Sequence, residues 1–182
     1  MKFKFDQEKA IAVVLYVANK ILEKEKPAGL HKIFKIVYFA DQKHLARWGR
    51  PVSTDFFVAM KHGPVPSVIY DILKSVQGDS FFVNQDKFSE YFEVKGHTVI
   101  PKQKPDMDFL SETDITYLDE SIEENAHLGF GALQDKSHDQ AWEKTFKNDR
   151  IPFKCIAQEG GASSEMLSYI RHNAEIDTIA TV

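Results

Sequence analysis

The sequence predicts a single compact domain of the α+β class that is predominantly α-helical and carries a small peripheral β-hairpin. Two long segments near the start of the chain repeat apolar residues at the spacing of an α-helix. A later segment alternates apolar and polar residues on both sides of Lys95-Gly96, which is typical of a hairpin. The 182 residues are 43% hydrophobic and 27% charged, the composition of an ordinary globular domain.

The composition argues against several classes of protein. Cys155 is the only cysteine, so an intramolecular disulfide is impossible and a structural zinc site is not expected. The net charge of -4 argues against general nucleic-acid binding, which needs clustered Lys and Arg. The longest apolar run, Ala10 to Ala18, is far shorter than a membrane span and is not followed by a signal-peptide cleavage site. We therefore predict a cytoplasmic protein without a membrane partner.

Two long helices are predicted at the start of the chain. The first begins at a cap on Asp6 and runs to about Glu25, and apolar residues cover most of its circumference. Such a helix belongs in the middle of a core. Pro27-Ala28-Gly29 breaks it, and a second helix is predicted from about Leu30 to Trp48, ended by Gly49. Four basic residues of the second helix are expected to point outward: Lys32, Lys35, Lys43 and Arg47.

Short elements follow the second helix. Residues 56 to 60 favour a strand, and the two prolines within residues 62 to 66 predict an extended turn. A helix begins after this turn and ends at Gly78. The arms of the hairpin are predicted at Phe88 to Val94 and at His97 to Ile100.

Shorter helices are predicted in the second half of the chain. Residues 101 to 108 predict a connector because prolines and charges dominate them. Ser111 and Asp114 form a capping-box pattern that starts a helix with an apolar inner face. Two further short helices are predicted over residues 129 to 136 and 137 to 147.

The end of the chain has a weak apolar pattern. Beyond Pro152 the sequence predicts a loop at Gly160 to Ser164 and a short helix near Ile170. We expect the last residues to fray. Cys155 has apolar neighbours, so we interpret it as a small buried side chain rather than as a nucleophile.

Several polar residues lie among apolar neighbours and are the first candidates for chemistry. Asp41 and His44 are three residues apart on one helical face, where such a pair could bind a metal or act as acid and base. No HExxH motif or second cluster accompanies them. A structural hydrogen-bonded pair is therefore the favoured interpretation. The full candidate set is Asp41, His44, Lys61, His62, His138 and Asp139.

His138 and Asp139 have the same two interpretations. Ser137 or Asp139 is expected to cap a helix. That helix would place Trp142 in the core, which again favours a structural role over a catalytic one.

An acidic segment stands out in the charge pattern. Residues 106 to 135 contain nine acidic residues and no Lys or Arg. Asp119 and Glu123, four residues apart, repel each other on one helix, and so do Glu120 and Glu124. Two interpretations stay open: a solvated face that aids solubility, and a patch that meets a basic partner.

Two blocks of the sequence together resemble a known family. The first block comprises Tyr38-Phe39-Ala40-Asp41, His44 to Pro51, Val58 to Pro66 and Tyr70-Asp71, and the second comprises Ser137-His138-Asp139 with Ala141-Trp142. In this order they resemble the Panacea domain of the SocA-like antitoxin family. The resemblance spans about Ile11 to Phe146. We accordingly predict a Panacea domain over residues 1–150 and a C-terminal extension over residues 151–182 that packs on this domain or trails from it.

The resemblance implies a bacterial or phage antitoxin. It implies direct binding of a cognate toxin, either to block it or to deliver it to a cellular protease, and it implies no cofactor and no enzymatic activity. Nucleic acid is not an expected partner. Two alternatives stay open: a small metal-dependent or hydrolytic enzyme, and a DNA-binding regulator. An enzyme should show a pocket where the following residues converge: Asp41, His44, His62, His138 and Cys155.

Two segments are candidates for contact with a partner. The first is the turn Lys61-His62-Gly63-Pro64-Val65-Pro66, which serves either as a rigid core connector or as a partner-contacting loop. The second is the acidic group Asp119, Glu120, Glu123 and Glu124. The polar residues of the family motif are Asp41, His44, His138, Asp139 and Trp142.

Overall fold

The computed structural model describes residues 4–78 and 85–179 of the chain. These residues fold into helices and two separate antiparallel two-stranded sheets, so the predicted, predominantly helical α+β class is confirmed. A single 3-10 turn, Met107–Phe109, lies in the predicted connector. The other elements, in chain order, are α1 Gln7–Glu23, α2 Leu30–Trp48, β1 Phe57–Met60, β2 Gly63–Pro66, α3 Ser67–Val76, α4 Gln85–Phe88, β3 Phe92–Lys95, β4 Thr98–Pro101, α5 Glu112–Asn125, α6 Phe130–Ser137, α7 Gln140–Glu143, α8 Phe153–Glu159 and α9 Ser164–Ile179.

The helices α1 and α2 occupy the centre of the core. The Asp6 side chain accepts a hydrogen bond from the backbone N–H of Lys9 and caps α1, as predicted. Gly49 ends α2 with a φ of +69°, in the left-handed region that favours glycine. Val17 of α1 and Val37 of α2 are fully buried. Because α2 also packs against α5, α6, α8 and β2, it is the element around which the rest is arranged.

The position of the Lys35 side chain contradicts the prediction that it points outward. Its side chain is fully buried, and Nζ donates a hydrogen bond to the Pro64 carbonyl oxygen at 2.8 Å. The physical reason is that β2 covers this side of α2 and leaves it no solvent face. Lys32 and Lys43 are half-buried and Arg47 is exposed, in agreement with the prediction.

Residues 57–66 form a β-hairpin that the sequence did not predict. Its strands pair antiparallel with Met60 opposite Gly63 and Ala59 opposite Pro64. The Ala59 N–H donates away from the hairpin, to the Asp149 carbonyl oxygen, so the missing N–H of Pro64 breaks no bond between the strands. The two prolines therefore fit within a strand, where we had predicted only an extended turn.

The second hairpin is shorter than predicted. Its first arm begins at Phe92 and not at Phe88, because Phe88 ends the one-turn helix α4. The second arm, Thr98–Pro101, agrees with the prediction to within one residue. Backbone hydrogen bonds from Leu30 N to His97 O and from Val99 N to Ala28 O fasten this hairpin to the start of α2.

The second half of the chain differs from its prediction mainly at the end. Ser111 and Asp114 form the predicted capping box of α5. The helix predicted over residues 137–147 is only the single turn α7. After it come two helices where one short helix was predicted, and α9 is 16 residues long.

The helix α8 packs closely on α2. Gly160, at its C-terminal end, lies so near the Gln42 carbonyl that an added Cβ would overlap it. Ile156 and Ala157 are fully buried. The boundary at residue 150 between a domain and an extension stays a prediction.

None of the helices within the described ranges combines the length and the apolar character needed to cross a bilayer.

Candidate partner-binding site

The two motif blocks meet at the turn of the β1–β2 hairpin. The indole Nε1 of Trp142 donates a hydrogen bond to the Met60 carbonyl oxygen at 2.9 Å. Gly63 has a φ of +96°, and a Cβ added there would lie 2.5 Å from the Ser137 hydroxyl oxygen. Only glycine satisfies both the backbone angle and the close approach. The second block therefore holds the turn of the first block in place.

The buried amine of Lys35 lies directly under this turn. Its Nζ donates to Pro64 O, and a Cβ on Gly63 would lie 2.7 Å from it. Burial lowers the pKa of Lys35 to about 7, while the negative charge of Asp139 acts in the opposite direction. Lys35 thus joins α2, the hairpin and the second motif block.

Asp139 has the capping role that the sequence predicted. Its Oδ1 accepts the backbone N–H of Trp142 at 3.0 Å and so begins α7. Its Oδ2 accepts from the Tyr38 hydroxyl at 2.9 Å and from the Gln42 amide at 2.6 Å. Burial raises the pKa of Asp139, and the hydrogen bonds from Trp142, Tyr38 and Gln42 oppose that rise. Both carboxylate oxygens are engaged in holding α2 against α7.

His138 stacks on the indole of Trp142. The ring centroids are 3.7 Å apart, and the planes differ by 2°. Burial and the nearby charge of Lys35 both lower the pKa of His138. Its Nε2 is buried and has no hydrogen-bond partner among the described residues. The stacked rings of His138 and Trp142 thus lie against the β1–β2 hairpin. Trp142 is partly buried, whereas the prediction placed it in the core.

Asp41 and His44 do not bond to each other. Asp41 accepts from the backbone N–H groups of Val52 and Ser53, at 2.7 and 3.0 Å, and from the Ser53 hydroxyl. Burial raises its pKa to about 7. His44 Nδ1 donates to the Arg50 carbonyl oxygen at 2.8 Å, and burial lowers its pKa to about 4. The predicted hydrogen-bonded pair is therefore not formed, and each residue holds a different part of the loop after α2.

The residues that an enzyme would have to bring together in one pocket are held by separate sets of partners. Asp41 and His44 fasten the loop after α2, whereas His62 and His138 lie near the β1–β2 hairpin. Cys155 is only partly buried in α8, contrary to the expectation of a buried side chain. Within residues 4–78 and 85–179, no three His, Cys, Asp or Glu side chains gather in a way that could hold a metal ion.

A half-open groove lies beside the β1–β2 turn. It is bounded by the start of α2, the hairpin turn and the start of α6, and we call it the α2–α6 groove. Its volume is about 630 Å³, and apolar atoms form most of its surface. Leu30, Phe34, Val65 and Leu133 are among the residues that line it.

The rim of the α2–α6 groove carries an aromatic cluster. Phe130 is 54% exposed, and its ring centroid lies 4.1 Å from that of His31 and 5.4 Å from that of His62. His62 Nδ1 donates to the amide oxygen of Gln134 at 2.7 Å, which orients the ring. Burial lowers the pKa of His31 to about 4, so this ring is neutral at pH 7.

The predicted turn residues divide into an accessible set and a buried set. Lys61 and His62 are exposed, and Val65 is half-buried and lines the groove. Gly63, Pro64 and Pro66 are buried and determine the path of the hairpin.

Comparison with known proteins gives the family. Residues 33–143 match the family model described as antitoxin SocA-like, Panacea domain, which is more than half of the chain. The chain belongs to the SocA-like Panacea family. Antitoxin SocA of Caulobacter vibrioides (strain NA1000 / CB15N) is 36% identical over 73 residues. The aligned region covers 38% of the chain and 38% of that antitoxin. No solved structure gives a significant match.

The Panacea match coincides with most of the elements described above. Residues 33–143 include nearly all of α2, both hairpins and the helices α3 to α7. The helices α1, α8 and α9 lie outside the match. Lys35, Gly63 and Asp139, which meet under the hairpin, therefore all belong to the Panacea region.

The acidic residues of α5 are compensated by groups from other elements. The sequence shows no basic residue near them along the chain, but the fold brings Tyr16 of α1, Lys24 just after α1 and Lys43 of α2 to this face. The contacts are Lys24 to Glu123 at 2.6 Å, Lys43 to Glu124 at 2.5 Å, Lys43 to Glu120 at 3.3 Å, and the Tyr16 hydroxyl to Asp119 at 2.7 Å. The repulsion expected from the sequence is therefore largely relieved by contacts with the first two helices.

Sequence reasoning missed three residues of the site. Lys35 was assigned to the surface because lysines are seldom buried. His31 and Phe130 carried no motif and meet only in the folded chain. No signal in the sequence alone identified either residue.

Proposed function

We propose that this chain is an antitoxin that neutralises a cognate toxin by direct protein binding. The observation that carries the proposal is the Panacea match over residues 33–143, which includes the β1–β2 turn and the start of α6 at the α2–α6 groove, while the start of α2 precedes the match. A groove with an exposed aromatic rim is the kind of surface on which a protein partner finds an anchor.

The contact surface we assign to the toxin is the face that carries the β1–β2 turn. Lys61 and His62 are accessible there, while Gly63 and the prolines keep the turn rigid. A rigid turn loses little conformational freedom when a partner binds. Neutralisation then follows from blocking the toxin or from holding it for a protease.

The acidic face of α5 is the second candidate surface. Glu123 is accessible there, with 77% of its side chain exposed. We rank this face below the hairpin face because Lys24 and Lys43 already neutralise much of its charge. A basic partner would have to displace these lysines.

Growth rescue tests the proposed function directly. The neighbouring reading frame is expressed from an inducible promoter with and without this chain, and growth is followed after induction. We expect the neighbouring product to arrest growth alone and the full-length chain to restore it, with both proteins co-eluting in size-exclusion chromatography. Arrest that the chain does not relieve would refute the proposal.

A further inference from the structure

We propose that the α2–α6 groove takes a short apolar segment of the partner that carries an acidic group. This inference rests on the proposed function, since it names the part of a toxin that the antitoxin would hold. It commits to one class of occupant, a peptide segment of a protein.

The apolar part of the occupant follows from the groove's lining. Leu30, Phe34 and Val65 form an apolar surface in a depression of about 630 Å³, which is within the range of roughly 300–1,000 Å³ common for binding sites. Phe130 extends this surface to the rim with 54% of its side chain exposed. Covering these groups with apolar side chains removes them from water, which is the main favourable term in association.

The acidic part follows from the charges around the groove. None of the described residues that line it is Asp or Glu, although the whole chain has 27 acidic against 23 basic residues. Lys32 and Lys61 both line it, but the Nζ of the half-buried Lys32 donates to the Ala126 carbonyl oxygen at 2.5 Å. Lys61 is exposed and makes no ion pair within the described part of the chain, so its charge is available.

Two helix ends add to this positive character. Both α2 and α6 begin at the groove, at Leu30 and Phe130, and neither has a side chain that caps its first turn. The N-terminal end of a helix carries a partial positive charge that favours an anion. A carboxylate near Lys61 would complement both the lysine and the helix ends.

A nucleic acid fits this surface poorly. Two lysines border the groove, whereas nucleic-acid affinity comes from many cations along a phosphate backbone. The apolar lining also offers little to a phosphate. A peptide that combines apolar side chains with one carboxylate satisfies both features.

Peptide selection tests the proposal without knowledge of the toxin. Random peptides displayed on phage are selected on the full-length chain, and the enriched sequences are synthesised and titrated by fluorescence anisotropy. We expect apolar sequences with an Asp, a Glu or a free C-terminal carboxylate. Lys61→Glu and Phe130→Ala should each weaken binding by about tenfold, as expected for central contacts.

Two controls show whether the effect belongs to the groove. Phe146 is 82% exposed and does not line the groove, so Phe146→Ala should leave peptide affinity unchanged. A peptide whose acid is replaced by Lys should bind the Lys61→Glu chain better than the wild type. Thermal melting verifies that each variant is folded, which we expect because all three side chains are exposed.

The outcomes separate this proposal from the proposed function. Peptides without acidic preference, or peptides that bind Lys61→Glu and Phe130→Ala as well as the wild type, would overturn the groove assignment even if the chain rescues growth. A chain that selects acidic peptides through Lys61 but fails to rescue growth would support the groove assignment and overturn the proposed function.

Discussion

At the scale of single residues, Lys35 connects the parts of the site. A fully buried lysine is unusual, and here its amine supports the backbone of the β1–β2 hairpin through Pro64. The amine also lies against Gly63, so the glycine and the lysine depend on each other. The sequence showed the importance of the Gly-Pro-Val-Pro turn but not the group beneath it, because no local pattern distinguishes a buried lysine from an exposed one.

Lys35→Met should change the pH dependence of stability. Burial lowers the pKa of Lys35 from 10.5 to about 7, so between pH 7 and 9.5 the unfolded chain holds more protons at this residue than the folded chain. Stability from this group therefore rises with pH in that window. Between pH 7 and pH 9.5, the free energy of unfolding of the wild type should therefore rise by on the order of 2 to 3 kcal/mol more than that of Lys35→Met.

Urea denaturation at pH 7 and pH 9.5 measures this gain. The rest of the chain is identical in both proteins, so the difference between the two profiles reports residue 35. Parallel profiles for the wild type and Lys35→Met would show that Lys35 does not titrate where its burial indicates.

Gly63→Ala should destabilise the chain more than Gly96→Ala. Both glycines have positive φ angles, of +96° and +58°, so both substitutions strain the backbone. Only at Gly63 would the added Cβ meet Ser137 and Lys35, whereas Gly96 has open space. We expect Gly63→Ala to cost at least about 2 kcal/mol, beyond the roughly 1 kcal/mol typical of glycine substitutions at such angles. Chemical denaturation of both variants gives the comparison, and equal losses would argue against close packing under the turn.

At the scale of elements, the sequence predicted those with strong periodicity. The bounds of α2 and the caps of α1 and α5 were correct because Asp6, Gly49 and Ser111 have local roles that any fold would use. The β1–β2 hairpin was missed because prolines usually exclude a strand, and only the pairing of Ala59 with Asp149 shows why Pro64 is tolerated. The helix α8 was missed because its burial comes from packing on α2, and α9 was predicted but is longer than expected.

The candidate site was also predictable in part, because some of its residues belong to local sequence motifs. The turn at residues 61–66 and the cap at Asp139 were identified from their motifs, and their hydrogen bonds agree with a rigid turn and a capped helix. The α2–α6 groove was not predictable, because its walls come from segments as far apart in the chain as His31 and Phe130.

Amide substitutions on α5 distinguish the two candidate surfaces. The variant carries Asp119→Asn, Glu120→Gln, Glu123→Gln and Glu124→Gln. Because the acids are paired with lysines and Tyr16, we expect a small loss of thermal stability rather than a gain. If the hairpin face binds the toxin, this variant should still rescue growth, and a complete loss of rescue by a folded variant would move the contact to α5.

At the scale of the whole molecule, α2 organises both the core and the groove. The β3–β4 hairpin is fastened to its beginning through His97, the β1–β2 hairpin lies on Lys35, and α8 packs along it near Gln42. The groove opens where α2 begins, between the β1–β2 hairpin and α6, both of which pack against α2. A partner bound there would contact a surface that the core keeps rigid.

We propose that this chain binds a toxin through the α2–α6 groove. Isothermal titration of the purified neighbouring gene product into the wild type, the double variant Lys61→Glu with Phe130→Ala, and Phe146→Ala tests it most directly. We predict that the wild type and Phe146→Ala bind with the same affinity and that the double variant loses at least about a hundredfold, as two central contacts of tenfold each require. Equal affinity of all three proteins, or no binding by the wild type, would contradict the claim.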